Sequence, residues 1–297
     1  MNMPLVSYIV ITRNRCDEVS RCLKSLMEQD YPQREFILVD NGSTDDTVWK
    51  VKRLYPAVRV IVLGRNLGVP AGRNRGVETA RGDICVFMDD DARFMAGDET
   101  QRVVTYFQSN DRTACVAFRI KGGKTGSEDR KTIPRADKRI VEEDCQIAYF
   151  CGAGFAMRRS VFCDLGYFWE PLIYGGEELD LSYRLKAADY QIIYAASIRV
   201  AHDEVATARP KGQWIFYQAR NRCWVAARNL PWHFALSTTL LWWAWTGWVS
   251  LKHREVNFFI RGVWGALAGL PFALRERQPL RKPAIMAIRR LSGRLWY

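Results

Sequence analysis

The N-terminal part of the chain alternates between short runs of β-branched residues and stretches with helical periodicity. Four runs predict buried strands, at residues 5–12, 34–39, 58–63 and 84–89. The segments between them carry apolar residues at helical spacing and end in turn-forming residues. Short β-α-β connections of this kind join parallel strands by right-handed crossovers. The sequence therefore predicts an α/β fold, Rossmann-like, with a mainly parallel sheet and helices on both faces.

Polar residues follow these strands at their carboxyl ends. They are Thr12, Asp40, Asn66 and the acidic run Asp89–Asp91. In an open parallel sheet the ligand lies beyond the carboxyl ends of the strands, so we expect these side chains at one rim. Three neighbouring carboxylates repel one another unless a cation lies among them, and hard oxygen ligands suit a divalent cation. For the acidic run alone, a solvated surface turn is the alternative interpretation.

Two common phosphate-binding patterns are absent from the sequence. No predicted helix opens on a GxxxxGK[ST] loop or on a GxGxxG turn, which argues against a P-loop enzyme and a dinucleotide dehydrogenase. A phosphate-bearing ligand would then depend on a cation held by the Asp oxygens.

A second acidic cluster lies between residues 175 and 184. Its apolar spacing predicts a helix that starts near Glu178, with Glu177, Glu178 and Asp180 in the first turn. Acidic residues are favoured at helix N-termini for electrostatic reasons alone, but a carboxylate at the mouth of a pocket also suits proton removal from a sugar hydroxyl. His202 ends a β-rich run. An imidazole there is either structural or a further ligand of an Asp-held cation such as Mn²⁺.

The positive charge of the chain is concentrated in its C-terminal part. The net charge is +12. From residue 207 onward the sequence contains 15 Lys and Arg residues but only two acidic residues. The same part also contains nine of the 11 Trp residues. Residues 234–251 are uncharged, which is near the lower length limit for a membrane-spanning helix. We expect an interfacial helical hairpin against an anionic membrane. A helical subdomain packed on the rest of the protein and a true span are the alternatives.

The eight cysteines include no CxxC pair, a pattern that favours reduced thiols over a zinc site or a disulfide framework. The N-terminal apolar run is too short and too β-branched for a signal peptide. We therefore expect a cytoplasmic protein, peripheral on the inner face of the plasma membrane.

Six motifs occur in a fixed order along the chain. They are IVITRNR (9–15), ILVDNGSTDDT (37–47), NLGVPAGRNRG (66–76), FMDDDA (87–92), GGEELDLSYR (175–184) and YQARNR (217–222). Together they resemble the motifs of the family 2 glycosyltransferases, which are inverting enzymes with the GT-A fold. The resemblance covers residues 4–230. It implies transfer of a sugar from a nucleotide-diphosphate donor to a glycan, lipid-linked or protein acceptor, with Mn²⁺ or Mg²⁺ as the cofactor.

The resemblance also implies roles for the rim residues. Thr12 and Asp40 would contact the nucleotide base, and Asn66 and Arg73 would lie near the nucleotide. Asp89 would reach the ribose or bridging waters. Arg13 and Asp90 complete the expected nucleotide-binding set, although Asp90 is expected to point away from the cation. Asp91 and His202 would bind the metal that holds the diphosphate.

The general base is less well defined by the resemblance. The family usually has Glu-Asp where this chain has Glu177-Glu178, so the base remains open between these two residues, with Glu178 at the position of the usual base. Asp180 is expected to organise the site or to lie near the acceptor. Trp169 is expected either to stack on an acceptor sugar or to be a buried anchor.

These expectations divide the chain into two parts. Residues 1–229 would form the catalytic GT-A domain, and residues 230–297 a helical, basic, membrane-associating appendage. A nucleotidyltransferase of the same fold is one alternative, disfavoured by the acidic helix start and His202. A nucleic-acid-binding protein with a basic Trp-rich tail is the other. The acidic rim and the uncharged helical run disfavour it, so we expect no nucleic-acid partner.

Overall fold

The strands of the protein join into one sheet that sets the place of every rim residue. A computed structural model describes residues 3–129, 132–134, 141–203, 210–293 and 295. Within these residues the sheet has nine strands, eight of them in the order β3-β2-β1-β4-β8-β6-β9-β5, and β7 pairs with β9. The strands are β1 (Val6–Thr12), β2 (Arg34–Asp40), β3 (Val58–Val62), β4 (Ile84–Asp89), β5 (Ala92–Phe94), β6 (Thr113–Gly122), β7 (Cys145–Ile147), β8 (Gly154–Arg158) and β9 (Gln191–His202).

The first four strands are parallel, as the sequence predicts. β1 lies between β2 and β4, and β3 pairs with the outer side of β2. The register places Thr12 opposite Asp40 and Ile11 opposite Asp89. Because parallel strands end at the same edge of a sheet, this register brings the three polar strand ends together.

The remaining strands make the sheet mixed. β8 is antiparallel to both β4 and β6, β9 is parallel to β6, and β5 and β7 are antiparallel to β9. The α/β prediction is confirmed, with parallel order concentrated in the N-terminal half. In the β5–β9 pair Ala92 lies opposite His202, so the chain returns to the acidic run from a distant segment.

Eleven α-helices lie in the described residues. They are α1 (Cys16–Met27), α2 (Thr47–Leu54), α3 (Val69–Thr79), α4 (Glu99–Ser109), α5 (Arg159–Asp164), α6 (Glu177–Ala187), α7 (Lys211–Asn229), α8 (Trp232–Lys252), α9 (Val256–Ala268), α10 (Leu270–Arg275) and α11 (Lys282–Arg290), and a short 3-10 helix spans Glu170–Leu172. Successive strand residues point to opposite faces of the sheet, and helices pack on both faces. Tyr8 and Val10 of β1 share one buried cluster with Leu23 of α1, whereas Ile9 shares a second cluster with Val77 of α3.

The C-terminal helices pack against α7. Trp243 of α8 donates its indole N–H to the carbonyl of Ala219 at 2.9 Å. Gly262 of α9 lies so close to α7 that a Cβ there would be 2.7 Å from the carbonyl oxygen of Phe216. The expected boundary at residues 229 and 230 falls between the end of α7 and the start of α8. Arg294, one of the basic residues of the expected appendage, lies outside the described residues.

Within the ranges that the structure describes, we find no helix with both the length and the hydropathy needed to cross a membrane.

Candidate active site

The ends of β1 and β2, at Thr12 and Asp40, form one part of the predicted rim. Thr12 Oγ1 donates to Asp90 Oδ2 at 2.9 Å, and the backbone N–H of Asn41 donates to the Thr12 carbonyl at 2.8 Å. Asp40 is buried, and its carboxylate accepts the backbone N–H of Ser43 at 3.2 Å. These bonds hold the turn after β2 against the end of β1.

Arg13 and Asn66 lie at the outer edge of this rim. Both side chains are exposed. Arg13 Nε donates to the Gly42 carbonyl at 3.3 Å, and Asn66 Oδ1 accepts the backbone N–H of Gly68 at 2.9 Å. Asn41, which the sequence analysis did not single out, joins the two loops: its Nδ2 donates to the Gly68 carbonyl at 3.1 Å.

Asp89, Asp91 and His202 form a cluster whose ligand atoms lie close enough together to hold one metal ion. One ligand atom from each lies within 4.8 Å of the others, and His202 Nε2 is 3.1 Å from Asp91 Oδ1. The β5–β9 pairing is what brings His202 here. Two carboxylate oxygens and one imidazole nitrogen are donors that Mn²⁺ accepts, and Mg²⁺ shares the preference for carboxylates. These residues therefore fit a divalent cation.

Asp90 points to the other side of the acidic run, towards Thr12 and Arg15. Arg15 Nη1 lies 2.7 Å from Asp90 Oδ1 and 3.1 Å from Asp91 Oδ2. Burial raises the pKa of Asp90 to about 6, although the Arg15 guanidinium acts in the opposite direction. Burial also acts upward on Asp91, but the hydrogen bond and charge of His202, together with Arg15, hold its pKa below the ordinary value. Arg15 was not among the predicted site residues. The signal for it in the sequence is its position in the loop that follows β1, whose end faces the acidic run.

Arg73 lies at the centre of the site. Its side chain is 5% exposed, and its guanidinium carbon lies 5.4 Å from the ring centre of Phe155 and 5.8 Å from that of Phe168. Nη2 donates to Asp89 Oδ1 at 2.9 Å and to the Gly152 carbonyl at 2.7 Å. These contacts fix the guanidinium beside the acidic run.

Helix α6 brings Glu177 and Glu178 to the other end of the same guanidinium. Arg73 Nη1 is 3.7 Å from Glu177 Oε1 and 3.8 Å from Glu178 Oε1. The Glu177 side chain is 3% exposed and that of Glu178 is 22% exposed. Burial, and then the neighbouring Glu178 carboxylate, raise the pKa of Glu177 to about 8, while Arg73 acts to lower it. Of the two carboxyl groups, Glu178 is the one that a substrate can reach.

Gly152 allows this close assembly. A Cβ at this position would lie 2.1 Å from Glu178 Oε1 and 3.1 Å from Arg73 Nη1. The absence of a side chain at Gly152 therefore leaves room for the charged side chains of Glu178 and Arg73.

Asp180 and Trp169, the two residues for which the sequence suggested a place near the acceptor, are buried. Asp180 is fully buried and accepts from Arg228 Nη1 at 2.6 Å and Asn229 Nδ2 at 2.8 Å. Trp169 is 6% exposed and stacks on Phe272 with ring centres 5.9 Å apart. Both side chains hold helices together, and neither presents a surface to an acceptor.

The YQARNR motif supports the entrance to α6. Arg220 and Asn221 donate to carbonyl groups of residues 171–175, the segment that leads into this helix. No role for the individual residues of this motif was predicted from the sequence.

Comparison with known proteins places these features in context. Residues 7–166 match the profile of Glycosyl transferase family 2. An uncharacterized glycosyltransferase of Haemophilus influenzae is 33% identical over 113 residues, which are 37% of this chain and 45% of that protein. The GalNAc(5)-diNAcBac-PP-undecaprenol beta-1,3-glucosyltransferase of Campylobacter jejuni is 29% identical over 183 residues, which are 59% of this chain and 58% of that protein. The chain thus spans about half the length of these two relatives.

Among solved structures, a mannosyltransferase from Pyrobaculum calidifontis, determined in complex with GDP-Man and Mn2+, has a similar fold. The TM-score is 0.61 at 20% identity, and the match covers 98% of this chain and 85% of that one.

We expect Glu177→Gln to change how stability depends on pH. Because folding raises the pKa of Glu177 from 4.5 to about 8, its contribution to stability is complete below the lower value and is lost as the pH rises through the higher one. Glutamine stays neutral, so the melting temperature of the variant should gain on that of the wild type between about pH 5 and about pH 8. Thermal unfolding across this range measures the difference, with the exposed Glu78→Gln as the control. A constant offset would show that Glu177 is ionised in the folded protein.

Proposed function

The chain belongs to glycosyl transferase family 2 and is a glycosyltransferase with the GT-A fold, and from this membership we propose a metal-dependent, inverting transfer. The donor is a nucleotide-diphosphate sugar and the acceptor is a hydroxyl group of a glycan, with lipid-linked glycans favoured over proteins. One observation carries the proposal: a single buried arginine, Arg73, joins an Asp-Asp-His cluster to a partly exposed glutamate. The cluster suits a diphosphate with its cation, and the glutamate suits an acceptor hydroxyl.

In this proposal the donor lies along the rim of the sheet. Thr12 and Asp40 end adjacent parallel strands and would contact the base, while Arg13, Asn66 and Arg73 would border the nucleotide. Asp90 would keep Thr12 and Arg15 in place through its hydrogen bonds.

Asp91 and His202 would hold Mn²⁺ or Mg²⁺ against the diphosphate. Asp89, expected from the sequence to reach the ribose or bridging waters, would join them as a third ligand, because its carboxylate lies in the same cluster. When bound, the cation would supply positive charge that offsets the negative charge developing on the departing nucleoside diphosphate. The guanidinium of Arg15, 3.1 Å from Asp91, adds fixed positive charge on the protein side of the same region.

We assign the general base to Glu178. Its carboxylate would take the proton of the acceptor hydroxyl while the hydroxyl oxygen forms a bond to the anomeric carbon and the bond to the diphosphate oxygen breaks. This single displacement inverts the configuration at that carbon. Glu177 is a poorer candidate, because its side chain is 3% exposed and its raised pKa keeps it protonated near neutral pH.

The acceptor is proposed to be membrane-linked. The name of the Campylobacter jejuni relative describes an undecaprenol-linked substrate. Exposed apolar residues lie on α8 and α9: Leu236, Leu240, Leu241, Trp245, Trp248, Leu251, Ile260, Trp264 and Leu267. Basic residues Lys252, Arg254 and Arg261 lie between or beside them. Tryptophan and cations around an exposed apolar surface are typical of proteins that lie on anionic membranes. We therefore propose peripheral contact with the inner face of the plasma membrane.

Asp91→Ala should remove metal-dependent turnover without unfolding the protein. The variant loses one of three clustered ligands, so we expect release of nucleoside diphosphate to fall by roughly 100-fold or more. UDP-, dTDP- and GDP-sugars, each titrated with Mn²⁺, provide the assay, and the fully exposed Asp111 provides the control Asp111→Ala. Full activity of Asp91→Ala would remove this residue from the cation site.

Glu178→Gln should leave donor binding nearly unchanged and stop transfer, because glutamine cannot accept the proton. The expected loss of kcat is on the order of 100- to 10,000-fold. Glu177→Gln is the matched control and should retain most of the activity. If Glu177→Gln abolishes transfer and Glu178→Gln does not, the base is Glu177.

Trp248→Glu and Trp264→Glu should weaken binding to anionic liposomes, each on the order of tenfold, because each places a charge where an indole would be buried. Trp49→Glu on α2 is the matched control, since Trp49 is 59% exposed and Trp248 is 60% exposed. Cosedimentation of the full chain with liposomes at moderate salt measures binding, and single-stranded DNA serves as the competing ligand. If the protein binds the DNA more strongly than the liposomes, or if Trp49→Glu weakens liposome binding as much as Trp248→Glu does, the surface is not specific for membranes.

A further inference from the structure

The segment between the 3-10 helix and α6 contains a strained turn. Ile173 has φ 60° and ψ −48°, and the backbone N–H of Tyr174 donates to the Leu172 carbonyl at 2.5 Å. This is a γ-turn of the rare positive-φ form, which a β-branched residue seldom adopts. The Ile173 side chain is 39% exposed, so burial of that side chain does not explain the conformation. Strain of this kind is concentrated at functional sites.

Helix α7 holds this turn from below. Asn221 is buried, and its Nδ2 donates to the carbonyls of Leu172 and Tyr174 at 2.8 Å and to that of Gly175 at 2.7 Å. One amide group therefore binds the backbone on both sides of Ile173, which explains how the strained conformation is maintained.

Two partly exposed aromatic rings stand beside the turn. Tyr174 and Tyr217 meet edge to face, with ring centres 6.0 Å apart and an interplanar angle of 75°. The Arg220 guanidinium lies 5.0 Å from the Tyr217 ring centre and donates to the Leu172 carbonyl at 3.0 Å. The same residues of α7 thus fix both the turn and the ring pair.

The turn lies between the donor rim and the proposed base. The Ile173 carbonyl accepts the backbone N–H of Val69 at 2.8 Å, and a Cβ on Gly68 would lie 2.4 Å from that carbonyl oxygen. Gly68 in turn bonds to Asn66 of the rim. On its other side the turn continues through two glycines into α6, and Glu178 is the second residue of this helix.

We propose that Ile173, Tyr174 and Tyr217 form the wall of the acceptor subsite, on which a sugar ring of the acceptor packs while its hydroxyl reaches Glu178. The inference rests on the proposed function and adds the surface that recognises the acceptor. Ligand pockets combine aromatic and aliphatic walls with a few placed polar groups. The C–H face of a sugar ring is apolar and matches the face of a tyrosine, while the phenol hydroxyl serves the polar edge.

The test measures sugar binding and nucleotide binding separately in the full chain. The probes are n-octyl glycosides of glucose, galactose and N-acetylglucosamine, observed by saturation-transfer NMR in the presence of diamagnetic Mg²⁺ and a nucleoside diphosphate. Tyr217→Ala should weaken binding of the preferred glycoside by about tenfold, the effect of losing one ring contact, and leave nucleotide affinity unchanged. Trp49→Ala removes an exposed ring from α2 and should change neither.

Ile173→Gly is the second variant and does not depend on the first. Glycine adopts positive φ without strain, so the melting temperature should not fall, yet glycoside affinity should drop several-fold as the wall loses its side chain and rigidity. Unchanged glycoside affinity in both variants, or a wild type that binds none of the three probes, would overturn the inference. A wild type that binds neither UDP, dTDP nor GDP with Mn²⁺ would instead contradict the proposed function.

Discussion

The burial of one guanidinium among carboxylates is the constraint on which the site depends. Arg73 touches Asp89 on one side and approaches Glu177 and Glu178 on the other. A buried charge is tolerated only when it is paired, and the buried Arg73 guanidinium is paired with partly exposed Asp89 and Glu178 and with buried Glu177. The strand that ends in the acidic run and the helix that begins with two glutamates are therefore positioned by a shared electrostatic requirement. The acidic run and the two glutamates thus belong to one charge network around Arg73.

Part of the candidate site could be predicted from local patterns in the sequence. Thr12, Asp40 and Asp89 end strands whose apolar runs are local patterns, so the strands and their common rim could be predicted from short segments. The helix that carries Glu178 was visible for the same reason. The alternation of strands and helices brings the ends of these strands to one edge of the sheet, and this alternation can be read from consecutive segments of the sequence.

Other parts depend on contacts between distant segments, and local patterns do not contain them. The resemblance named His202 as a metal ligand, but the pairing of β9 with β5 that brings it to the acidic run has no signal in either strand alone. Trp169 was open between a stacking surface and an anchor, and its burial and its packing on Phe272 of α10 support the anchor. Arg15 and Asn221 lay within recognised motifs, but their roles follow from partners about 75 and 47 residues away in sequence. Long-range pairing, not composition, separates the predicted site from the observed one.

The β5–β9 pair has a consequence for the dynamics of the site. β5 has three residues, and short edge elements open locally at a lower free-energy cost than the centre of a sheet. A cation held by Asp89, Asp91 and His202 would bind only when this edge is closed, so ion binding and edge closure would be linked equilibria. Amide hydrogen exchange in β5 and at the end of β9 would then slow with ion occupancy, while the central strands would keep their protection. In such a protein the local stability of one sheet edge reports how fully the donor site is loaded.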